Sequence, residues 1–273
     1  MDRIIRYMLE EDEGFGDITS NAVVEKGKEI SAQIVSKDEG ILAGMDVIRE
    51  VFEEYGIKVK FWLTDGTKIS KNDLLMSVAG DARTILLLER TVLNLSMRMS
   101  GVATAANHYV ELVKDYDVRV AGTRKTSPAI AKFDKYALGV GGADTHRFSL
   151  DDMVLIKDNH IAACGTPLEA LLKAKANVSF SKKIEIEVET LDDAVECVKN
   201  GADIVMLDNM SPSEVSEVID KLNELNIRQS SLIEVSGGIT DKTIVEYAKL
   251  GVDIISIGAL THSSRSLNFS MKF

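Results

Sequence analysis

The chain reads as an α+β domain followed by an α/β barrel, and three observations predict that fold. Its 273 residues exceed one average domain and fit a barrel plus a smaller unit, with 45% hydrophobic content to build the cores. The first hundred residues show no regular strand–helix alternation and mix short helix, β-rich segment and long helix. From Val118 the short apolar runs VRVA, MVLI, IEIEV, IVML, LIEV and IISI are separated by helical or glycine-containing segments, the grammar of a β/α series.

In the first part, residues 30–36 (ISAQIVS) and 57–63 (IKVKFWL) alternate as strands, and Val47, Ile48, Val51, Phe52 and Tyr55 keep a helical stripe between them. Asp65 and Gly66 mark a turn. From Arg83 a helix places Ile85, Leu88, Val92, Leu95 and Met99 on one face and is expected to end at Gly101, linking the two domains. The expected boundaries are 1–105 for the first domain and 106–261 for the barrel, with residues 262–273 returning to the first domain.

Within the barrel, the stripes Leu191, Ala194, Val195, Val198 and Val215, Val218, Ile219, Leu222 lie between strands whose apolar runs suit burial on both faces. CVKNGADIVMLD and YAKLGVDIISIG echo one another 50 residues apart: a helix end, a capping glycine (Gly201, Gly251), an aspartate two residues on, then a strand. Six strands are clear and a seventh leaves the closure open. A doubly wound open sheet is the competing arrangement, although no G-x-G-x-x-G follows a first strand.

Charge narrows the function. The chain carries a net −11, which argues against nonspecific binding to nucleic acid or an acidic membrane surface. Residues 122–160 are the exception, with six Lys/Arg against five Asp and two of the four histidines, while the remainder holds 26 cationic and 38 acidic residues. That segment can hold an anion. Cys164 and Cys197 form neither a disulfide framework nor metal-ligand dyads, the N-terminus is acidic where a signal peptide is basic then apolar, and no apolar run approaches the roughly 20 residues of a membrane span. A cytoplasmic location is expected. H-E-x-x-H, G-x-S-x-G and P-loop patterns are missing, which removes zinc-protease, serine-hydrolase and NTPase readings.

Barrels build active sites at the C-terminal ends of their strands, and here those ends are polar. After VRVA come Gly122, Thr123, Arg124 and Lys125, a fork and a point charge suited to carboxylate or phosphate. Gly139, Gly141 and Gly142 precede His146 and Arg147 and offer backbone amides to an anion. Lys157 closes MVLI, where it could form a Schiff base, bind an anion or snorkel structurally; with Arg124 and Arg147 on the same rim, anion binding is favoured. Glu187 and Asp208 close adjacent strands and could hold Mg²⁺, bind sugar hydroxyls, stabilise a developing cation or neutralise nearby cations. Glu185, Glu187 and Glu189 share one face by period two, with no ranking among them. Ser236, Gly237 and Gly238, then Gly258 and Ala259, end the last two strands, where barrels often bind phosphate.

In this order and spacing GTRKTSP, KYALGVGGADTHR, LIKDNH, IEIEVET, MLDNMSP, EVSGGIT and IGALTHS, with GFGDITS and ERTVLNLSMRMSG before them, resemble the quinolinate phosphoribosyltransferase family. The resemblance implies an N-terminal α+β open sandwich, an incomplete seven-stranded α/β barrel and a homodimer with its sites between subunits. It implies transfer of phosphoribosyl from phosphoribosyl pyrophosphate to quinolinate with Mg²⁺, giving nicotinate mononucleotide, CO₂ and pyrophosphate in NAD biosynthesis. By motif, Thr123, Arg124, Lys125, His146, Arg147 and Lys157 would line the anion pocket, and Arg90 would reach the partner subunit's site. Glu187 and Asp208 would meet ribose and metal, and with Lys125 and Lys157 would carry the chemistry. Ser236, Gly237, Gly238, Gly258 and Ala259 would take the 5-phosphate. The chain departs from the family pattern at Ala129 and Ala131, where Gly and Arg are usual, and at Thr145, where Asn is usual; Lys132 is expected to supply the missing charge. A Schiff-base lyase using Lys157 and a noncatalytic anion-binding relative are the competing functions.

Overall fold

The computed structural model describes residues 2–273. Its chain begins with helices α1 (Arg3–Glu13) and α2 (Ile18–Val23), capped at their N-termini by the Asp2 and Asp17 carboxylates. Then follow strands β1 (Glu29–Ser36) and β2 (Gly40–Ile41), helix α3 (Met45–Glu54) and strands β3 (Lys58–Trp62), β4 (Lys68–Ile69) and β5 (Leu74–Asp81). The sheet is antiparallel, ordered β1, β5, β3 outward from one side, and β2 pairs with β4. Asp65 of the expected turn accepts from the Gly44 and Met45 N–H groups at 2.9 and 2.8 Å and so caps α3.

Helix α4 runs from Ala82 to Leu112 and buries Ile85, Leu88, Val92, Leu95 and Met99, the stripe read from the sequence. It passes straight through Gly101 instead of ending there. A Cβ at position 101 would stand 2.2 Å from the Arg265 carbonyl oxygen, so this glycine makes room for the returning tail. Helix propensity costs about 1 kcal/mol at an internal glycine, and close backbone packing outweighs it.

The second unit is a parallel sheet of six strands: β6 (Arg119–Ala121), β7 (Val154–Ile156), β8 (Ile184–Val188), β9 (Ile204–Asp208), β10 (Leu232–Ser236) and β11 (Ile254–Ser256). Their order is β6-β11-β10-β9-β8-β7. A seventh position is a single parallel bridge between Ala121 and Asp144, beside β6, and no ladder joins it to β7 among the described residues. The barrel is therefore incomplete. Between strands lie α5 (Ala131–Val140), α6 (Asp158–Cys164), α7 (Pro167–Asn177), α8 (Leu191–Lys199), α9 (Pro212–Glu224), α10 (Ile244–Ala248) and α11 (Ala259–His262). The sequence echo has a structural counterpart: Gly201 and Gly251 both take φ near 75°, and Asp203 and Asp253 each accept an N–H near the start of a neighbouring strand, from Ile184 and Ile233, at 2.7 Å.

The last strand, β12 (Phe269–Lys272), pairs antiparallel with β1. By compactness one unit comprises residues 1–107, 126–142 and 260–273, and the other 108–125 and 143–259. The tail thus joins the first unit, and so does the segment carrying α5, which the boundary at residue 105 had given to the barrel. Buried Asp134 explains the second assignment, since it receives two hydrogen bonds from Arg98 on α4. Gly141 packs with its Cα against the Ala103 carbonyl, where a Cβ would come within 2.3 Å, and Gly142 follows at φ 92°. These glycines serve helix packing and a turn, and none lines the barrel cavity.

Candidate active site

Side chains from the C-terminal ends of the barrel strands converge on a cavity of about 530 Å³. Parallel strands in register bring this about, because each strand's last inward residue sits at one level around the sheet. Thr123, Arg124, Lys125, His146, Arg147, Lys157, Glu187, Asp208, Ser236, Gly237 and Gly238, all read from the sequence, line it together. Gly258 and Ala259 do not. Arg90 lines a separate cavity of the first unit with Met8, Glu11, Asn94 and Arg98, and its side chain is exposed.

Four cations dominate one part of the wall. Arg147 is buried, yet among the described residues its side chain makes a single hydrogen bond, a long contact of 3.4 Å from Nη1 to the Met153 carbonyl. Burial lowers its pKa from the ordinary arginine value, the Arg124 charge lowers it further, and Glu185 opposes both. A desolvated guanidinium with most of its donors unspent is a receptor for a carboxylate or phosphate. Arg124 and Lys125 are exposed on the loop after β6, whose turn is held by the Lys125 N–H donating to Thr123 Oγ1 at 3.0 Å.

Two acids face them. Lys157 donates to the Glu187 carboxylate, which is only 10% exposed. Asp208 is held above the usual carboxylate range by burial first and by the Glu187 charge second, with Lys157 opposing. Asn209 at φ 56° donates through Nδ2 to Asp208 at 2.5 Å. Glu189, which the sequence could not separate from Glu187, is exposed and outside the cavity. Both carboxylates are hard oxygen donors of the kind Mg²⁺ takes, and so fit that ion by chemistry.

Below His146 lies a cluster that sequence reading missed. Nε2 stands 3.3 Å from a carboxylate oxygen of both Glu185 and Glu234, two fully buried side chains. The hydrogen bond goes to Glu234, which also accepts from Ser256 Oγ, and both Glu185 oxygens lack a hydrogen-bond partner. Burial would push the imidazole down; the two carboxylates outweigh it and hold it up at about 10. The Arg147 N–H donates to Nδ1 at 2.8 Å, a bond that a doubly protonated ring would forfeit and that works against that rise. These three groups lie close enough to hold a metal ion. A ring whose Nδ1 accepts a backbone N–H carries its hydrogen on Nε2, toward the carboxylates, so the cluster is better matched to sharing protons than to ligating. The signal was available: a glutamate inside an apolar strand buried on both faces requires a partner.

Lys132 is not among the residues that line this cavity. Its ammonium pairs with the Asp2 carboxylate and lies 4.9 Å from the Phe133 ring centroid, contacts made within the first unit. Ala129 occupies φ 67°, the left-handed region that the usual glycine adopts without strain. Thr145 donates through Oγ1 to the His146 carbonyl at 3.1 Å.

Comparisons agree across the chain. Residues 17–100 match the family model "Quinolinate phosphoribosyl transferase, N-terminal domain", and residues 102–272 match the corresponding C-terminal domain. A Methanocaldococcus jannaschii protein named probable nicotinate-nucleotide pyrophosphorylase (carboxylating) is 49% identical, covering 98% of this chain and 95% of its own length. Its Bacillus subtilis counterpart is 40% identical, covering 98% and 92%. The crystal structure of NadC from Streptococcus pyogenes superposes with a TM-score of 0.92 at 38% identity, covering 98% and 94%. With both halves matched and the cationic rim, paired acids and Ser-Gly-Gly turn gathered in one cavity, the chain belongs to the quinolinate phosphoribosyl transferase family.

Proposed function

We propose that this cavity joins quinolinate to the phosphoribosyl group of phosphoribosyl pyrophosphate, releasing pyrophosphate and CO₂ and forming nicotinate mononucleotide for NAD biosynthesis. The carrying observation is one cavity wall with Arg124, Lys125, Arg147 and Lys157 beside Glu187, Asp208 and a Ser-Gly-Gly turn. A dicarboxylate and a polyphosphate need several cations, and a sugar that loses its leaving group needs carboxylates nearby.

Arg147 and Arg124 grip the ring carboxylates, with Lys125 alongside, and so aim the pyridine nitrogen at the anomeric carbon. That nitrogen's lone pair forms the new C–N bond as the C–O bond to pyrophosphate breaks and its electron pair leaves with the oxygen. Glu187 and Asp208 stabilise the positive charge that builds on the ribose. The bond from the ring to the carboxylate beside the nitrogen then breaks, its electrons stay on the ring carbon next to the quaternised nitrogen, and that carbon takes up a proton. Ser236 and the Gly237 and Gly238 N–H groups receive the 5-phosphate. Mg²⁺, held by Glu187 and Asp208, would neutralise pyrophosphate charge.

We place the chain in a homodimer in which Arg90 serves the partner's cavity. Exposed Arg90 and the exposed apolar side chains Phe15, Ile18 and Val23 support a covered N-terminal face. Among the described residues no helix is long and apolar enough to cross a membrane, and a cytoplasmic enzyme is the reading we adopt. The Lys157 amine is engaged by the Glu187 carboxylate on a wall shared with Arg124, Lys125 and Arg147, which favours anion binding over a Schiff-base lyase. Labelled CO₂ release from quinolinate, dependent on both phosphoribosyl pyrophosphate and Mg²⁺, is the expected result. A folded protein that releases neither CO₂ nor nicotinate mononucleotide would overturn the proposal, and borohydride trapping at Lys157 would replace it with the lyase.

A further inference from the structure

The loop from Ser236 to Thr243 leaves β10 with two successive glycines in the left-handed region, Gly237 at φ 91° and Gly238 at φ 61°. Both line the cavity. Two adjacent residues without a Cβ give the backbone its greatest freedom, and a turn that must aim N–H groups at an anion binds more weakly for each alternative shape it has to abandon. The loop is nevertheless anchored on either side of the pair. Before it, the Asn209 N–H donates to the Ser236 carbonyl at 2.9 Å, and Asn209 Oδ1 occupies the place of a Gly237 Cβ, 2.1 Å from where one would stand.

After it, Ile239 is buried and a tight turn follows, with the Thr243 N–H donating to the Thr240 carbonyl and the Thr240 N–H to Thr243 Oγ1, both at 3.0 Å. Asp241 stands at the apex of that turn. Its Oδ2 meets His108 Nε2 of α4 at 2.9 Å, and the neighbouring Tyr109 phenol is held up to about 12 by burial first and by the Asp241 carboxylate second. The two rings are edge to face with centroids 5.4 Å apart, which fixes the donors relative to each other.

We infer that His108 and Tyr109 are positioning residues that act through Asp241 to clamp the Ser236–Thr243 loop in the shape that receives the donor's phosphate. The inference rests on the reading of that loop as the phosphate subsite. A charge effect acts in the same direction. The bond to His108 first and the neighbouring Tyr109 hydroxyl second hold the Asp241 carboxylate below its usual range, so it is an anion three residues from Gly238, and pairing turns that anion away from the phosphate.

Steady-state kinetics of the full chain test the clamp. His108→Ala, Asp241→Ala and Tyr109→Phe should each raise KM for phosphoribosyl pyrophosphate about two- to fivefold, the range for an exposed pair, while kcat and KM for quinolinate hold. The double variant His108→Ala/Asp241→Ala should be no worse than the worse single variant, and His108→Gln, which keeps a donor, should recover most of the loss. Ser236→Ala serves as the reference for the subsite, and Asp241→Asn repeats the test if His108→Ala does not fold. If Ser236→Ala raises the donor KM and the clamp variants leave it unchanged, the clamp fails and the subsite stands. Additive effects in the double variant, or equal changes for both substrates, also overturn the clamp. An unchanged donor KM in Ser236→Ala removes the subsite and the clamp together.

Discussion

The Arg98 guanidinium forks across the Asp134 carboxylate, with Nε and Nη2 each 3.0 Å from a different oxygen. Asp134 is fully buried and Arg98 is 19% exposed, and Arg98 also donates to the Thr261 carbonyl at 2.5 Å and to Ser264 Oγ at 3.1 Å. One arginine on α4 thereby ties α5 and the returning tail into the first unit. Asp134→Ala leaves a partly buried cation without its partner and should cost about 2 kcal/mol in urea unfolding. An unchanged midpoint and slope would show that the fork contributes nothing to stability.

Ala129 holds a left-handed conformation at φ 67°. Relief of that strain by glycine gains roughly 1–2 kcal/mol, and the looser unfolded chain gives back about 0.4–1 kcal/mol. Ala129→Gly should therefore stabilise the protein by about 0.5 kcal/mol, read as a higher denaturation midpoint.

Asp208 sits above the ordinary carboxylate range because of burial and the neighbouring Glu187 charge. With the folded value above the unfolded one, the ionised form at neutral pH works against folding, and the effect grows as pH rises through that window. Asp208→Asn should leave the melting temperature unchanged or raise it by about 2 °C, while kcat falls by about two orders of magnitude or more. Loss of activity with loss of stability would instead mark a structural residue.

His146 gains a proton affinity on folding that rises from the usual imidazole value to about 10. Its contribution to stability is full below the unfolded value and disappears as pH climbs through the folded one. The stability advantage of the native chain over His146→Gln should shrink steadily from pH 6 to pH 10. A constant difference would mean that Glu185 and Glu234 do not hold the proton there.

The proposed sharing of sites between subunits makes complementation measurable. Arg90→Ala and Lys157→Ala homodimers should each be inactive, and mixed dimers should regain about a quarter to a half of native activity, since one site per dimer keeps both residues. No recovery in demonstrably mixed dimers would place Arg90 outside the partner's site.

The sequence by itself determined the elements and the rim. The short apolar runs become β6 to β11, the helical stripes are buried apart from Tyr55 and the half-buried Val47 and Leu191, and residues at the ends of all but the last run arrive in one cavity because parallel strands end at a common level. Local pattern carries that information, since side-chain periodicity depends only on backbone geometry. What only the tertiary structure decided is which segments meet across the chain. Gly101 reads as a helix end until the Arg265 backbone lies against it, Gly141 reads as an anion turn until Ala103 fills its space, and Lys132 reads as a site cation until Asp2 takes it. Glu185 and Glu234 find their shared partner His146 only when the strands are assembled into the sheet. These are packing and pairing events between residues tens of positions apart, and their energies depend on distances that no local pattern encodes.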